Sequence, residues 1–267
     1  MIFCAAAFSS DLNVMSFNVR YPASGDGENR WEFRRDTLVE CIRQSAPDIM
    51  GTQELFHLQG EYIVEKLPQY QWIGISRRGD QTDEHMGIFY LKDRFTVVES
   101  GNFWLSETPA VAGSMSWNVS LPRMVTWALF EDRTSKKRFY FANTHFAHRR
   151  EDATARLESA RVIDRWIEKL PKDSTVILTG DFNSPVDSDP YQTLTKNLKD
   201  SRTGLKDPAG EIGTINSNFS GKHSKPRIDW ILYRGKVKPD RFETVLFHQN
   251  GRYPSDHFPV VAHFRLD

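Results

Sequence analysis

Asp181 and Asn183 stand two residues apart in Gly180-Asp181-Phe182-Asn183-Ser184-Pro185, directly after the apolar run Val176-Ile177-Leu178. Extended backbone puts residues two apart on one face. A carboxylate and a carboxamide held together there can share a phosphate, a water or a metal ion. Asp and Asn also close strands by bonding to their own backbone, so this pair alone would signify no more than a turn. The rest of the chain alters that balance. Asn18, Glu54, Arg123, His145, Asp229, Asp256 and His257 also stand at the ends of apolar runs, which makes nine such positions with four carboxylates and two histidines among them. That is the composition of a hydrolytic metal site. Oxygen ligands dominate and cysteine is absent, which points to a hard cation, Mg2+ or Mn2+, rather than structural zinc.

The elements that must position these groups can be read in order. Residues 11–19 read as a strand ending at Asn18, and residues 31–44 as a helix with Leu38, Ile42 and the Arg34 stem on one face. A strand over 48–53 carries Glu54 at its end, and a helix follows over 57–67. Strands are expected at 71–75, 87–91 and 95–101, with a polar loop at 76–84. Residues 102–122 read as a long loop whose Trp104 and Trp117 either pack or form a substrate-selecting rim. Arg123 opens a strand, and a turn at 133–137 leads into the return strand ending at His145. Leu157, Ala160, Ile163, Ile167 and Leu170 recur at helical spacing over 151–170. Gly180 reads as a turn residue. A helix is expected from 187 to 198, then strands at 227–232, 242–247 and 258–264. This order predicts an α/β (α+β) four-layer sandwich, in which two packed sheets, at least one of them mixed or antiparallel, are flanked by helices. The polar strand ends run from 18 to 257, so residues 11–267 form one domain behind an extension at 1–10.

Composition narrows the partners. The chain has 267 residues, 39% of them hydrophobic, enough for one large core. Lys+Arg and Asp+Glu both number 35, so there is no global basic field of the kind a bulk nucleic-acid binder carries. Local basic clusters lie at Arg77-Arg78, Arg149-Arg150 and from Lys222 to Arg227. Cys4 and Cys41 could form one bridge but no disulfide framework or zinc site. No segment reaches the roughly 18 apolar residues of a membrane span. Residues 1–8, MIFCAAAF, lack a basic leader. They read as the tail of an export signal, a frayed end or an edge strand. A secreted or periplasmic location is favoured over a cytoplasmic one. A monomer is expected.

From about Leu12 to Phe264 the chain resembles the endonuclease/exonuclease/phosphatase superfamily, the fold of DNase I, abasic-site endonucleases, inositol polyphosphate 5-phosphatases, bacterial sphingomyelinases and deadenylases. The resemblance rests on FNVR with Asn18, TQE with Glu54, PRMVTW with Arg123, NTHFAH with His145, GDFNS with Asp181 and Asn183, RIDWI with Asp229, and SDHFPV with Asp256 and His257. Within it, the chain looks like a bacterial subgroup of metal-dependent hydrolases that carry RYxxxxDGxNxW, FWLSETP and NTHxDHxxxxAR. These correspond here to Arg20-Tyr21 with Asp26-Gly27-Glu28-Asn29 and Trp31, to Phe103–Pro109, and to Asn143 onward. Ala147 departs from the last motif, which usually has Asp there.

The resemblance implies a DNase I-like fold, hydrolysis of a phosphoester by water, and a divalent cation held by Glu54 with Asn18 and Asp256. It implies that Asp181 activates water and Asn183 contacts a phosphate oxygen. It also implies that His257, oriented by Asp229, and His145 act at the phosphoryl group, with Arg123 as a clamp. A small sugar-, inositol- or lipid-headgroup phosphoester is the expected substrate. A DNase I-like nuclease and a non-catalytic binding protein on the same fold are the alternatives.

Overall fold

In the computed structural model, which describes residues 11–205, 213–224 and 226–266, two six-stranded sheets pack face to face. The expected extension at 1–10, and with it Cys4 and any bridge to Cys41, lies outside the described residues. The first sheet contains β1 (Asp11–Asn18), β2 (Ile49–Gln53), β3 (Tyr70–Ile73), β4 (Ile88–Leu91), β13 (Val237–Thr244) and β14 (Val260–Leu266), in the order β13-β14-β1-β2-β4-β3. The second contains β5 (Phe95–Trp104), β6 (Met124–Asp132), β7 (Arg138–His145), β8 (Thr175–Asp181), β9 (Lys199–Asp200) and β12 (Asp229–Arg234), in the order β5-β6-β7-β8-β12-β9. A small hairpin, β10 (Ile215–Asn216) with β11 (His223–Ser224), stands apart.

Both sheets are mixed, each with one central parallel pair, β1 with β2 and β7 with β8. Parallel neighbours need a crossover. Helix α1 (Trp31–Ser45) supplies the first and α3 (Ala153–Lys169) the second. α1 and α2 (His57–Lys66) cover the outer face of the first sheet through Leu38, Ile42 and Ile63 against Met15, Phe17 and Met50. α3 and the short α4 (Asp189–Leu194) cover the second through Ile163, Ile167 and Leu194 against Val176, Leu178 and Trp230. This is the expected four-layer sandwich. Among the described residues no helix is long and apolar enough to cross a membrane.

The inner faces of the four central strands share a pattern set by the two-residue period. They read Leu12-Val14-Ser16-Asn18, Ile49-Gly51-Gln53, Phe139-Phe141-Asn143-His145 and Ile177-Thr179-Asp181. Each begins apolar, passes through a small or amide side chain, and closes on or just before a functional group. The apolar ends form the inter-sheet core. The middle positions form a hydrogen-bonded layer. The Asn143 amide donates to Thr52 O at 2.6 Å and Gly87 O at 3.0 Å, and its Oδ1 accepts from Gln53 Nε2 at 2.7 Å and Thr179 Oγ1 at 3.1 Å. Gly51 makes room for this: a Cβ there would lie 2.1 Å from Thr179 Oγ1 and 2.6 Å from Asn143 Oδ1.

Several local expectations need correction. β5 runs on to Trp104, paired with Met124, so the loop begins later than the aromatic run suggests. Trp104 is 4% exposed, packs against Met86 and Met124, and donates Nε1–H to Arg77 O at 2.6 Å. Trp117 packs against the core under α3. Neither lines the cleft described below. Gly180 lies inside β8, where a Cβ would meet Thr144 Cγ2 and Thr144 O at 2.8 Å, so close packing rather than a turn requires it. The turn falls at Asn183, whose φ is 47°. α4 ends at Leu194, and β13 begins at Val237 rather than near 242.

Asn143→Ala removes four bonds and strands buried partners, each at a cost of ~1–3 kcal/mol. It should lower unfolding stability by about 3 kcal/mol or more, read as a lower urea midpoint. A midpoint equal to wild type would show that the polar layer does not hold the sheets together.

Candidate active site

The C-terminal ends of the two parallel pairs converge at one end of the sandwich. Asn18 closes β1, Glu54 follows β2, His145 closes β7 and Asp181 closes β8. Asp229 opens β12 in register with Asp181, which is itself in register with His145. Asp256 and His257 precede β14. Glu54 and Asn183 both take left-handed backbone, φ 57° and 47°, an uncommon conformation for residues other than glycine and one found at functional turns.

Asn18 is buried and bridges two carboxylates, with its Nδ2 donating to Glu54 Oε1 at 3.1 Å and to Asp181 Oδ2 at 3.0 Å. Its Oδ1 accepts from Arg20 N at 3.0 Å, and Tyr21 N donates to Glu54 Oε2 at 3.1 Å. Asp181 Oδ1 accepts from Asn183 N at 2.9 Å. His145 Nε2 lies 3.4 Å and His257 Nε2 3.8 Å from Asp181 Oδ2. His257 Nδ1 meets Asp229 Oδ2 at 3.0 Å. Asn183 Nδ2 reaches Phe146 O at 3.2 Å, which leaves its second amide hydrogen free to serve a substrate.

Charge is distributed unevenly over this set. Burial and the neighbouring Asp229 push the Asp181 carboxyl up to about 7. Burial works against a charged His257, but Asp229 and Asp181 outweigh it and hold the imidazole well above its ordinary value. Burial, followed by Arg123 and Arg77, keeps His145 well below its ordinary value and therefore neutral. The two histidines thus stand in opposite protonation states on either side of one carboxylate.

The site opens into a cleft of about 470 Å³. Asp181, Asn183, His145, His257, Glu54 and Arg123 line it. Arg123, 4% exposed, donates from Nη2 to His148 Nδ1 at 3.0 Å. Its Nε and Nη1 are buried with no hydrogen-bond partner among the described residues. His148 is exposed at the cleft wall. Ala147 is buried, and its carbonyl accepts from Arg156 Nη1 at 3.0 Å.

Sequence patterning alone misses several of the wall residues. Arg20 binds Asp26 at 2.8 Å and stands 3.6 Å from Asp256 and 3.9 Å from Glu54. Arg77 is buried against Asp83 at 2.9 Å and Glu84 at 2.7 Å. Glu84 lies 3.9 Å from His145 Nδ1, and burial, opposed by Arg77, leaves it up at about 7. From the 102–122 stretch, Leu121 reaches the cleft. The doublet Arg77-Arg78 was a visible signal, but as surface charge; nothing periodic in 76–84 marks its return into the cleft.

Asp181, Asp229 and His257 place one ligand atom each within 4.8 Å of one another, a spacing that can hold a metal ion. Oxygen donors from Glu54 and Asp256 stand nearby, both within 4 Å of Arg20. Carboxylates and imidazoles gathered at the strand ends of a two-sheet sandwich define a metal-dependent phosphoesterase. The Endonuclease/Exonuclease/phosphatase family model matches residues 15–257, and the chain belongs to that family. It superposes on a family protein of Bacteroides thetaiotaomicron with a TM-score of 0.90 and 32% identity, over 97% of this chain and 99% of the other. It is similar to a mannosyl-6-phosphatase of Bacteroides thetaiotaomicron VPI-5482 with a TM-score of 0.87 and 33% identity, over 95% of this chain and 99% of that one. It is also 28% identical to an uncharacterized mimivirus protein, L388, over 88% of this chain and 92% of the other.

Asp229→Asn keeps the shape beside His257 Nδ1 but removes the charge that favours the imidazolium. Turnover should fall about 10- to 100-fold, as for other residues that orient a site group, with the thermal midpoint little changed. Wild-type turnover would remove Asp229 from the site's working parts.

Proposed function

We propose that this protein hydrolyses the phosphate ester of a small, sugar-like molecule with the aid of Mg2+ or Mn2+. The observation that carries the reading is Arg123, a buried guanidinium with two unpartnered nitrogens, lining a cleft shared with Asp181 and both histidines. Buried guanidinium nitrogens left without partners are costly, and a phosphoryl group would satisfy them.

Glu54 and Asp256, with Asn18 beside them, are the residues that would hold the cation. The donor set fits: burial pushes the Asp256 carboxyl up, and although His257 opposes this, Glu54 adds to it. A buried carboxyl whose ionisation is discouraged in this way is what a hard cation relieves. His257 suits that task less well, because an imidazolium between two carboxylates has no lone pair to offer. When bound, the cation would neutralise phosphoryl oxygens and stabilise the leaving oxygen.

The chain's own residues supply the rest. Asp181, held by Asn18 Nδ2 and Asn183 N, takes the proton from water as its oxygen bonds to phosphorus and the bond to the leaving oxygen breaks. His257 donates from Nε2 to a nonbridging phosphoryl oxygen, with Asp229 fixing Nδ1. Asn183 offers its free amide hydrogen to the same group, His145 stands as a neutral second donor, and Arg123 clamps the charge.

Two observations favour a small substrate over nucleic acid. One arginine of each basic cluster is held in an ion pair: Arg78 with Asp83 at 2.6 Å, Arg149 with Asp152 at 2.6 Å, and buried Arg227 with Asp200 at 2.6 Å. The likeness to a mannosyl-6-phosphatase makes a phosphorylated hexose the first substrate to offer.

Phosphate release from hexose 6-phosphates should require Mg2+ or Mn2+, stop with EDTA, and fall ~100- to 10,000-fold in Asp181→Asn. Glu54→Gln should weaken Mg2+ binding in calorimetry more than Asp229→Asn does. Metal-dependent digestion of plasmid or RNA with every sugar phosphate untouched would overturn the proposal in favour of a nuclease.

A further inference from the structure

A second pocket, of about 290 Å³, adjoins the catalytic cleft at Arg20. Arg20 belongs to the walls of both. Asp26, Asn29, Asn218, Phe219 and Asp256 complete the polar and aromatic lining. Asp26 and Asn29 come from the Asp26–Asn29 stretch singled out in the sequence, and the reaction above gives them no task.

The lining has a definite chemistry. The carboxamides of Asn29 and Asn218 have no hydrogen-bond partner among the described residues. Planar amides and carboxylates can each meet two neighbouring hydroxyls at once. The half-buried Phe219 ring gives an apolar face beside them. The one cation in the lining, Arg20, is already bound to Asp26 through Nε at 3.1 Å and Nη2 at 2.8 Å, which leaves little to attract an anion. A neutral ring carrying hydroxyls on its edge and C–H groups on its face matches this lining.

The backbone points the same way. Asn218 and Phe219 are consecutive left-handed residues, φ 50° and 56°, and for a bulky side chain that is a true outlier. Such strain gathers at ligand clamps and persists only where surroundings impose it. Here Asn216 imposes it: its N donates to Asp256 O at 2.7 Å, its Nδ2 donates to Ser255 O at 2.9 Å, and its Oδ1 accepts from Gly221 N at 2.7 Å. The Phe219 ring also lies 5.7 Å from the buried Arg34 guanidinium. The strained loop is therefore bonded to the segment that carries Asp256 and His257.

We infer that this pocket binds a second, unphosphorylated hexose of the substrate, so that the preferred substrate is a phosphorylated oligosaccharide rather than a hexose phosphate. The catalytic half of this inference rests on the function proposed above, whereas hexose binding does not.

Two measurements separate them. In the first, mannobiose and maltose, both without phosphate, are titrated into 15N-labelled protein. Shifts of the Asn29 and Asn218 side-chain amides with at least one sugar are expected, and the Asn29 shift should be lost in a Phe219→Gly, Asn218→Ala variant. No amide shift with either sugar overturns the subsite whatever the enzyme hydrolyses. In the second, kcat/KM is compared between mannobiose 6-phosphate and mannose 6-phosphate. The disaccharide should be preferred by about tenfold or more, and the preference should collapse in the double variant, chiefly through KM. Equal kcat/KM for the two, with phosphate released from both, overturns the subsite while the proposed reaction stands. Amide shifts with a neutral sugar but no phosphate release overturn the reaction and leave the subsite standing.

Discussion

The polar layer around Asn143 is the constraint on which the rest of the molecule depends. Two sheets packed by apolar side chains alone could slide or twist with little penalty, because hydrophobic attraction has no direction. The Asn143 amide reaches across the sheet interface to Thr52 O, Gly87 O and Gln53, and its oxygen also accepts from Thr179 on the neighbouring strand of its own sheet. A buried network of this kind tolerates no displacement without stranding a polar atom. The catalytic groups sit one inner-face step above it, since Asn18 follows Ser16, His145 follows Asn143 and Asp181 follows Thr179. Their separations, 3.0 Å from Asn18 to Asp181 and 3.4 Å from His145 to Asp181, cross from sheet to sheet or strand to strand. Such distances can be kept only if the layer beneath keeps its own.

A second anchor serves the loops. Arg34, buried on α1, donates to the carbonyls of Val19, Arg20, Asn29 and Pro254. Burial lowers its pKa to about 10, yet it stays charged at neutral pH. It thereby ties the loop after β1 to the segment before β14, the two pieces of chain that bring Arg20 and Asp256 together. Scaffold and site are thus continuous, and the charge on the site is balanced by cations that are themselves structural.

The strand ends were legible in the sequence because a two-residue period carries an inner face up to Asn18, His145 and Asp181, and a polar residue there interrupts an apolar run. The sheets and the crossover helices were legible for the same reason. Asn143 and Gln53 were not, since a polar residue inside a strand reads the same whether it faces water or another sheet. Arg77 and Glu84 were hidden because a loop that folds back has no period. Trp104 was placed in a loop because β5 continues through residues whose composition suggests one, and Gly180 was read as a turn because packing and turning both call for glycine.

The pairing of β1 with β14, Asp11 opposite Arg265 and Ser16 opposite Val260, joins opposite ends of the described chain. Contacts of such sequence separation form late and slowly. On a ribosome, which releases chain from the N-terminal side, β1 must wait for β14 before its second edge is covered. Asp256 and His257 arrive with that strand. A chain stopped before Asp256 therefore lacks both that covered edge and two of the nine site residues.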